Sequence, residues 1–252
     1  MLRVSSWLFF VTLSAFGLGC QGETNPSGED RNGGWPQTTN QYADTVVDAP
    51  GNTGEGFLDA HRAANGVFGE GDENGSTDVF SLGFQNDVNN YVVLSWGGRE
   101  VKNGPGVDFK VFENPFKYPG GTFMDQTVVE LSRDGILWVT YPHDYLGTDE
   151  TLYLERPELW EGFAGCKTFW YNEESSAGGP FASGSGGDEF DLDKLDPRAP
   201  GAAQIILDGF LFIRLVSAGT VVNPDTNLPF AVDPLSDGPD IDGVYGRYVT
   251  EK

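Results

Sequence analysis

The sequence predicts an all-β protein, a single β-sandwich with one long irregular loop. Three observations carry this. Short stretches rich in β-branched and aromatic residues alternate with a period of two, as in Tyr91 to Trp96 and Asp108 to Phe112. The stretches are separated by turn signals in a chain that holds 35 Gly and 15 Pro. Helical periodicity is confined to Leu58 to Ala64 and a turn around Pro157 to Trp160. Many short strands with Gly-rich turns make a sandwich.

Residues 1–19 read as a signal peptide. Arg3 supplies a positive start, and Trp7 to Leu18 is an apolar run too short to span a bilayer as a lasting helix. The run ends in Gly17-Leu18-Gly19-Cys20, small residues before a Cys, which resembles a bacterial lipobox with Cys20 as the lipidated residue. Gly17 stands where such motifs usually carry Leu, so an ordinary secretory signal is the alternative. Both readings export the protein. Gln21 rather than Asp after the Cys resembles lipoproteins sorted to the outer membrane, so the expected location is the outer membrane or cell surface. Residues 20–56 are rich in Gly, Asn, Thr, Pro, Ser and Gln, bury too little apolar surface to offset the entropy of ordering, and read as a flexible tether. Val46-Val47 is the one place where the tether is expected to touch the domain.

The remainder, 57–252, has the length of one all-β domain. Its 6 Trp, 9 Tyr and 18 Phe, shared with the segments before it, are enough for a sizeable core. The expected strands run Asp78 to Leu82, Tyr91 to Trp96 (stopped by Gly97-Gly98), Asp108 to Phe112, Thr127 to Ser132, Leu137 to Tyr141, and Ile241 to Val249. Asp134-Gly135 joins two of them as a hairpin, and Asp208-Gly209 signals a second hairpin between Gln204 to Leu207 and Phe210 to Val216. Ahead of Asp108, Gly104-Pro105-Gly106 suits a tight turn. Phe109 and Val111 then point one way, Lys110 and Phe112 the other, and Pro115 ends the pairing. The irregular region from Asp144 to about Leu195 holds Trp160, Phe163, Phe169, Trp170 and Tyr171. Trp160, Trp170 and Tyr171 are the candidate sugar-stacking residues, with a small core internal to the loop as the alternative.

Charge excludes one class of partner. With 15 basic against 38 acidic residues and a net charge of −23, the chain does not suit nucleic acid, whose phosphates need Lys and Arg. It suits cations. Asp188 and Asp191 with Asp193, and Asp240 with Asp242, are two acid-rich segments, with Asp108 and Glu113 flanking the central strand. Carboxylates are hard oxygen ligands, so Asp188, Asp191, Asp240, Asp242, Asp108 and Glu113 are the candidate ligands of a structural calcium ion. Solvated loop acids are the alternative. With only Cys20 and Cys166, zinc sites and disulfide frameworks built on Cys are excluded, and Cys166 is expected to be buried. His61 and His143 read as surface or loop residues.

The motif Gly104-Pro105-Gly106-Val107-Asp108-Phe109-Lys110-Val111-Phe112-Glu113-Asn114-Pro115-Phe116 resembles a family of bacterial surface lipoproteins. Ser81-Leu82-Gly83, Val129 to Ser132 with Asp134-Gly135 and Trp138, Cys166, Gly186 to Leu192, and Asp240 to Val244 extend the resemblance over most of Ser81 to Val249. Pro239 and Gly243 depart from the family's ending. The resemblance implies a jelly-roll sandwich of the galactose-binding-like type and a surface location, and it carries no settled activity. The functional reading is a non-catalytic module, tied to the membrane by a lipid, that binds glycan or another surface partner. The alternative is a hydrolase acting on polysaccharide through a carboxylate pair. No catalytic residue is assigned, since no Gly-x-Ser-x-Gly, His-Glu-x-x-His or phosphate loop occurs.

Overall fold

A computed structural model of the chain describes residues 40–50, 56–84, 90–147, 156–233 and 236–252. Residues 1–19, expected to be a signal peptide, and Cys20 lie outside them. In chain order the strands are β1 (Thr45–Asp48), β2 (Phe80–Ser81), β3 (Tyr91–Ser95), β4 (Glu100–Val101), β5 (Phe109–Glu113), β6 (Phe116–Tyr118), β7 (Gly121–Phe123), β8 (Thr127–Ser132), β9 (Val139–Thr140), β10 (Asp144–Tyr145), β11 (Trp160–Glu161), β12 (Asp188–Phe190), β13 (Phe212–Ser217), β14 (Asp240–Gly246) and β15 (Val249–Thr250). Helix α1 (Ala202–Asp208) lies between β12 and β13. Among the described residues no helix is long and apolar enough to cross a membrane.

Two antiparallel sheets face each other, which makes the fold an all-β sandwich. One has the order β1-β3-β13-β8-β9 and the other β12-β5-β14-β2. The alternation read from the sequence sets their inner faces. Val92 and Leu94, Leu215 and Ile213, Val129 and Leu131 point inward from the first sheet, and Phe109, Val111, Phe190, Val244 and Ile241 from the second. Burying each such side chain contributes about 1.5–3 kcal/mol, so this shared layer holds the sheets together. Phe109 stacks on Phe190 at 4.9 Å and meets Phe210 edge-on at 5.2 Å. Lys110 and Phe112 point outward, as the alternation predicts. Lys110 Nζ reaches Ser185 Oγ and Gly186 O, and Phe112 enters a separate cluster with Val67, Phe169, Tyr171 and Tyr245. Strand β5 stops at Glu113, two residues before Pro115.

Four expectations are corrected. The segment 40–50 is not tether. Ala43 and Gly246 donate backbone hydrogen bonds to Val244 and Gln41, and β1 pairs with β3, so the folded domain begins well before Phe57. Residues 202–208 form a helix instead of a hairpin arm. Ala202, Ala203 and Gln204 are strong helix formers, Ile205 is buried, and Gly209 at φ 76° donates to Ile205 O as a helix stop. An Asp-Gly pair ends a helix as readily as it turns a hairpin. The last strand is two, β14 and β15, the second pairing with β4. The irregular region is anchored, by β10 against β11 and by β12 as an edge strand of the second sheet.

Candidate functional site

Of the three candidate stacking residues, the structure turns one to solvent. Trp160 is buried in a second cluster with Met124, Val128, Phe163, Cys166, Ala218 and Phe230. Tyr171 is buried against Phe112 and Tyr245. Both are core residues, and in the extended segment 169–171 Phe169 and Tyr171 take the inner side while Trp170 between them takes the outer. Trp170 is 60% exposed.

The Trp170 ring is held in place. Its Nε1 donates to Asp72 Oδ1 at 3.0 Å, and the same oxygen accepts Thr168 Oγ1 at 2.6 Å. Asp72 Oδ2 pairs with Lys117 Nζ at 2.6 Å. These partners, Lys117 foremost, hold the Asp72 carboxyl below its ordinary value. One ring face lies on Gly71, where a Cβ would stand 2.8 Å from the ring carbons. The backbone N–H groups of Trp170 and Tyr171 both donate to Ser185 O. The result is a fixed indole presenting its free face beside a carboxylate, a hydroxyl and an ammonium. Such an arrangement can pack C–H groups on the aromatic face and hydrogen-bond polar groups at its rim. Asp72 and Thr168 were not singled out in the sequence. Their role depends on a contact across 96 residues, which no local pattern signals.

The six candidate calcium ligands do not share one place. Asp108 and Asp191 lie at the Phe109 end of β5, where Asp108 accepts the N–H groups of Gly104 and Leu192, each at 2.7 Å. Asp191 accepts the N–H of Asp193 at 2.9 Å and caps a short 3-10 turn. Glu113 and Asp240 lie at the other end, with Asp240 N–H donating to Glu113 Oε1 at 3.0 Å. Asp108 and Glu113 are five steps of extended chain apart, about 16 Å. Asp188 faces inward opposite Val111, and its Oδ2 gathers the N–H groups of Gly165, Cys166 and Lys167. Asp242 accepts the N–H of Phe68 at 3.0 Å, on the outward side of that sheet. Among the described residues no three Asp, Glu, His or Cys side chains group around a metal position. These acids tie backbone segments together.

Burial dominates the titration of Asp108, Glu113, Asp188, Asp240 and Asp242. It pushes Asp108 and Asp242 up to about 7, and Asp188 to about 6. Asp240 rises to about 6 through burial and the charge of Asp237. Glu113 is raised well above the carboxylate range by burial and then by Asp125, a buried acid that the sequence did not single out and that itself rises to about 7. Glu113 is 3% and Asp125 6% exposed, so neither faces a groove that a polymer could enter.

No protein-family model, curated protein or solved structure matches the chain.

Proposed function

We propose that the chain is an exported surface module, held by a lipid on Cys20, that binds glycan without turning it over. The observation that carries this is Trp170, an exposed indole fixed by Asp72 and Gly71 within a sandwich whose other large aromatics are mostly interior. A rigid platform loses little conformational entropy on binding, which favours stacking affinity. The partner class is a neutral or cationic polysaccharide, since a net charge of −23 repels polyanions. The signal sequence and the Gly19-Cys20 junction support export and anchoring.

The test is affinity electrophoresis of the protein against a panel of soluble polysaccharides, with Trp170→Ala beside it. At least one glycan should retard the parent chain, and the variant should lose about tenfold or more of that affinity at an unchanged melting temperature. Equal retardation of both proteins removes Trp170 from the binding face. Release of reducing ends during incubation identifies a hydrolase instead.

A further inference from the structure

The inner face of the five-stranded sheet changes character at one end. Its inward rows run across β3, β13 and β8. Leu94, Ile213 and Leu131 form one row, and Val92, Leu215 and Val129 the next. One step further the pattern places Asn90, Ser217 and Thr127. Ser217 stands opposite Thr127 in the register, and its N–H donates to Asn90 O at 2.9 Å. An apolar layer therefore ends in a row of an amide and two hydroxyls. These residues are 1%, 0% and 0% exposed.

The opposing sheet brings Glu113 to the same end. It is the third inward residue of β5, after Phe109 and Val111. Two independent paths locate it. On one side, Thr127 exchanges both backbone hydrogen bonds with Ala164, and a Cβ on the adjacent Gly165 would stand 3.1 Å from Glu113 Oε2. On the other, Asp240 N–H binds Glu113 Oε1, Pro239 O accepts the N–H of Leu82, and Leu82 O accepts Asn90 Nδ2 at 2.7 Å. Glu113 is thus bracketed by the neighbours of Asn90 and of Thr127.

Four atoms at this end are buried with no hydrogen-bonding partner among the described residues: Asn90 Oδ1, Glu113 Oε2, Thr127 Oγ1 and Ser217 Oγ. Buried polar atoms are nearly always satisfied, so four together call for a common explanation. All four are oxygens. The amide orientation of Asn90 follows from its Nδ2, which is committed to Leu82 O, so the acceptor is the atom left over. Asp125 adds a second carboxylate close enough to raise Glu113, with one oxygen bound by Ser236 Oγ at 2.5 Å.

We infer that Asn90, Glu113, Thr127 and Ser217 coordinate one calcium-type cation inside the end of the sandwich, with Asp125 completing its charge balance. An all-oxygen set of carboxylate, amide carbonyl and hydroxyl groups selects a hard cation. Its mixture of neutral and charged oxygen ligands supplied by the protein fits calcium better than magnesium, which demands near-octahedral geometry and keeps its waters. The ion pins the two sheets to each other where apolar packing stops. It is structural, and it stands or falls independently of the glycan reading.

The experiment is metal analysis and thermal melting of the full chain, stripped with EDTA and then given 1 mM calcium chloride, magnesium chloride, or sodium chloride of matched ionic strength. The expected result is about one calcium per chain retained through gel filtration, with a melting temperature several degrees above the other two salts. Thr127→Val with Ser217→Ala removes two ligands without changing charge. That variant should lose about tenfold or more of the calcium affinity, while Asp242→Asn, on the outward side of the sheet, should keep it. Equal melting in all three salts with no retained calcium overturns the inference. So does calcium retained undiminished by both the hydroxyl variant and Glu113→Gln, since the ion would then sit among other acids.

Discussion

Asp108 and Leu192 are joined across 84 residues, the Asp108 carboxylate accepting the Leu192 backbone N–H at 2.7 Å. Its other oxygen accepts the N–H of Gly104 at the same distance. One side chain therefore closes the Gly104-Pro105-Gly106 turn and fastens the start of the 3-10 turn that follows β12. Asp108→Ala leaves the buried Leu192 donor and the half-buried Gly104 donor unpaired and should cost about 2 kcal/mol. The midpoint of urea unfolding measures this, and a midpoint equal to the parent's contradicts it.

Stability should fall as pH rises from about 4 to 7. Burial raises Asp108 and Asp242 to about 7 from the ordinary aspartate value of 3.8. Asp191 and Asp193 add to the rise of Asp108. The unfolded chain releases these protons near pH 4, whereas the native state keeps them until about 7. Across that window the native state binds more protons, so each increment of pH favours unfolding. Above it the effect is constant. The urea midpoint in EDTA should accordingly be higher at pH 5 than at pH 8, and Asp242→Asn should flatten the difference. A lower midpoint at pH 5 runs against it.

Val111→Asp should unfold the domain. Val111 is fully buried between Asp188 on one neighbouring strand and Val244 on the other. A carboxylate there stands beside the buried Asp188 carboxyl in the apolar layer and costs about 4 kcal/mol or more. A soluble variant with a cooperative melt near the parent's temperature would remove Val111 from the core.

Asp72→Ala should loosen the Trp170 ring without disturbing the fold. Asp72 touches Trp170, Thr168 and Lys117 at a part-exposed position. The melting temperature should change by no more than about 4 °C, because exposed pairs of this kind contribute about 1 kcal/mol or less. Glycan affinity should drop several-fold, as the ring then has to be ordered on binding. Unchanged affinity places the stacking surface elsewhere.

Cys20→Ser should move the chain from the membrane fraction to the soluble fraction. Cys20 lies outside the described residues, and the prediction rests on the apolar run and the Gly19-Cys20 junction. Retention in the detergent phase to the same degree locates the anchor elsewhere.

The sequence by itself determined what depends on near neighbours. Period-two alternation was enough to assign Phe109 and Val111 inward and Lys110 and Phe112 outward, because successive side chains of an extended segment must take opposite faces. It located the turn before Asp108 and the stop before Pro115 for reasons of φ and missing donors. The chemistry of the sites was decided only by tertiary structure. Trp160 and Trp170 are alike in sequence, yet one lies under Phe230 and the other on Gly71 in the open. Residues 202–208 suit strand or helix, and Ile205 packing into the core chose the helix. The acids looked like loop ligands, but distant backbone N–H groups claimed most of them. Asn90, Thr127 and Ser217 do carry a faint mark in sequence, each a polar residue ending an inward alternating set. What makes them a site is that the second sheet closes over that row and brings Glu113 to it. Periodicity states which face a residue takes, and only the opposing layer decides whether that face is wet, dry or charged.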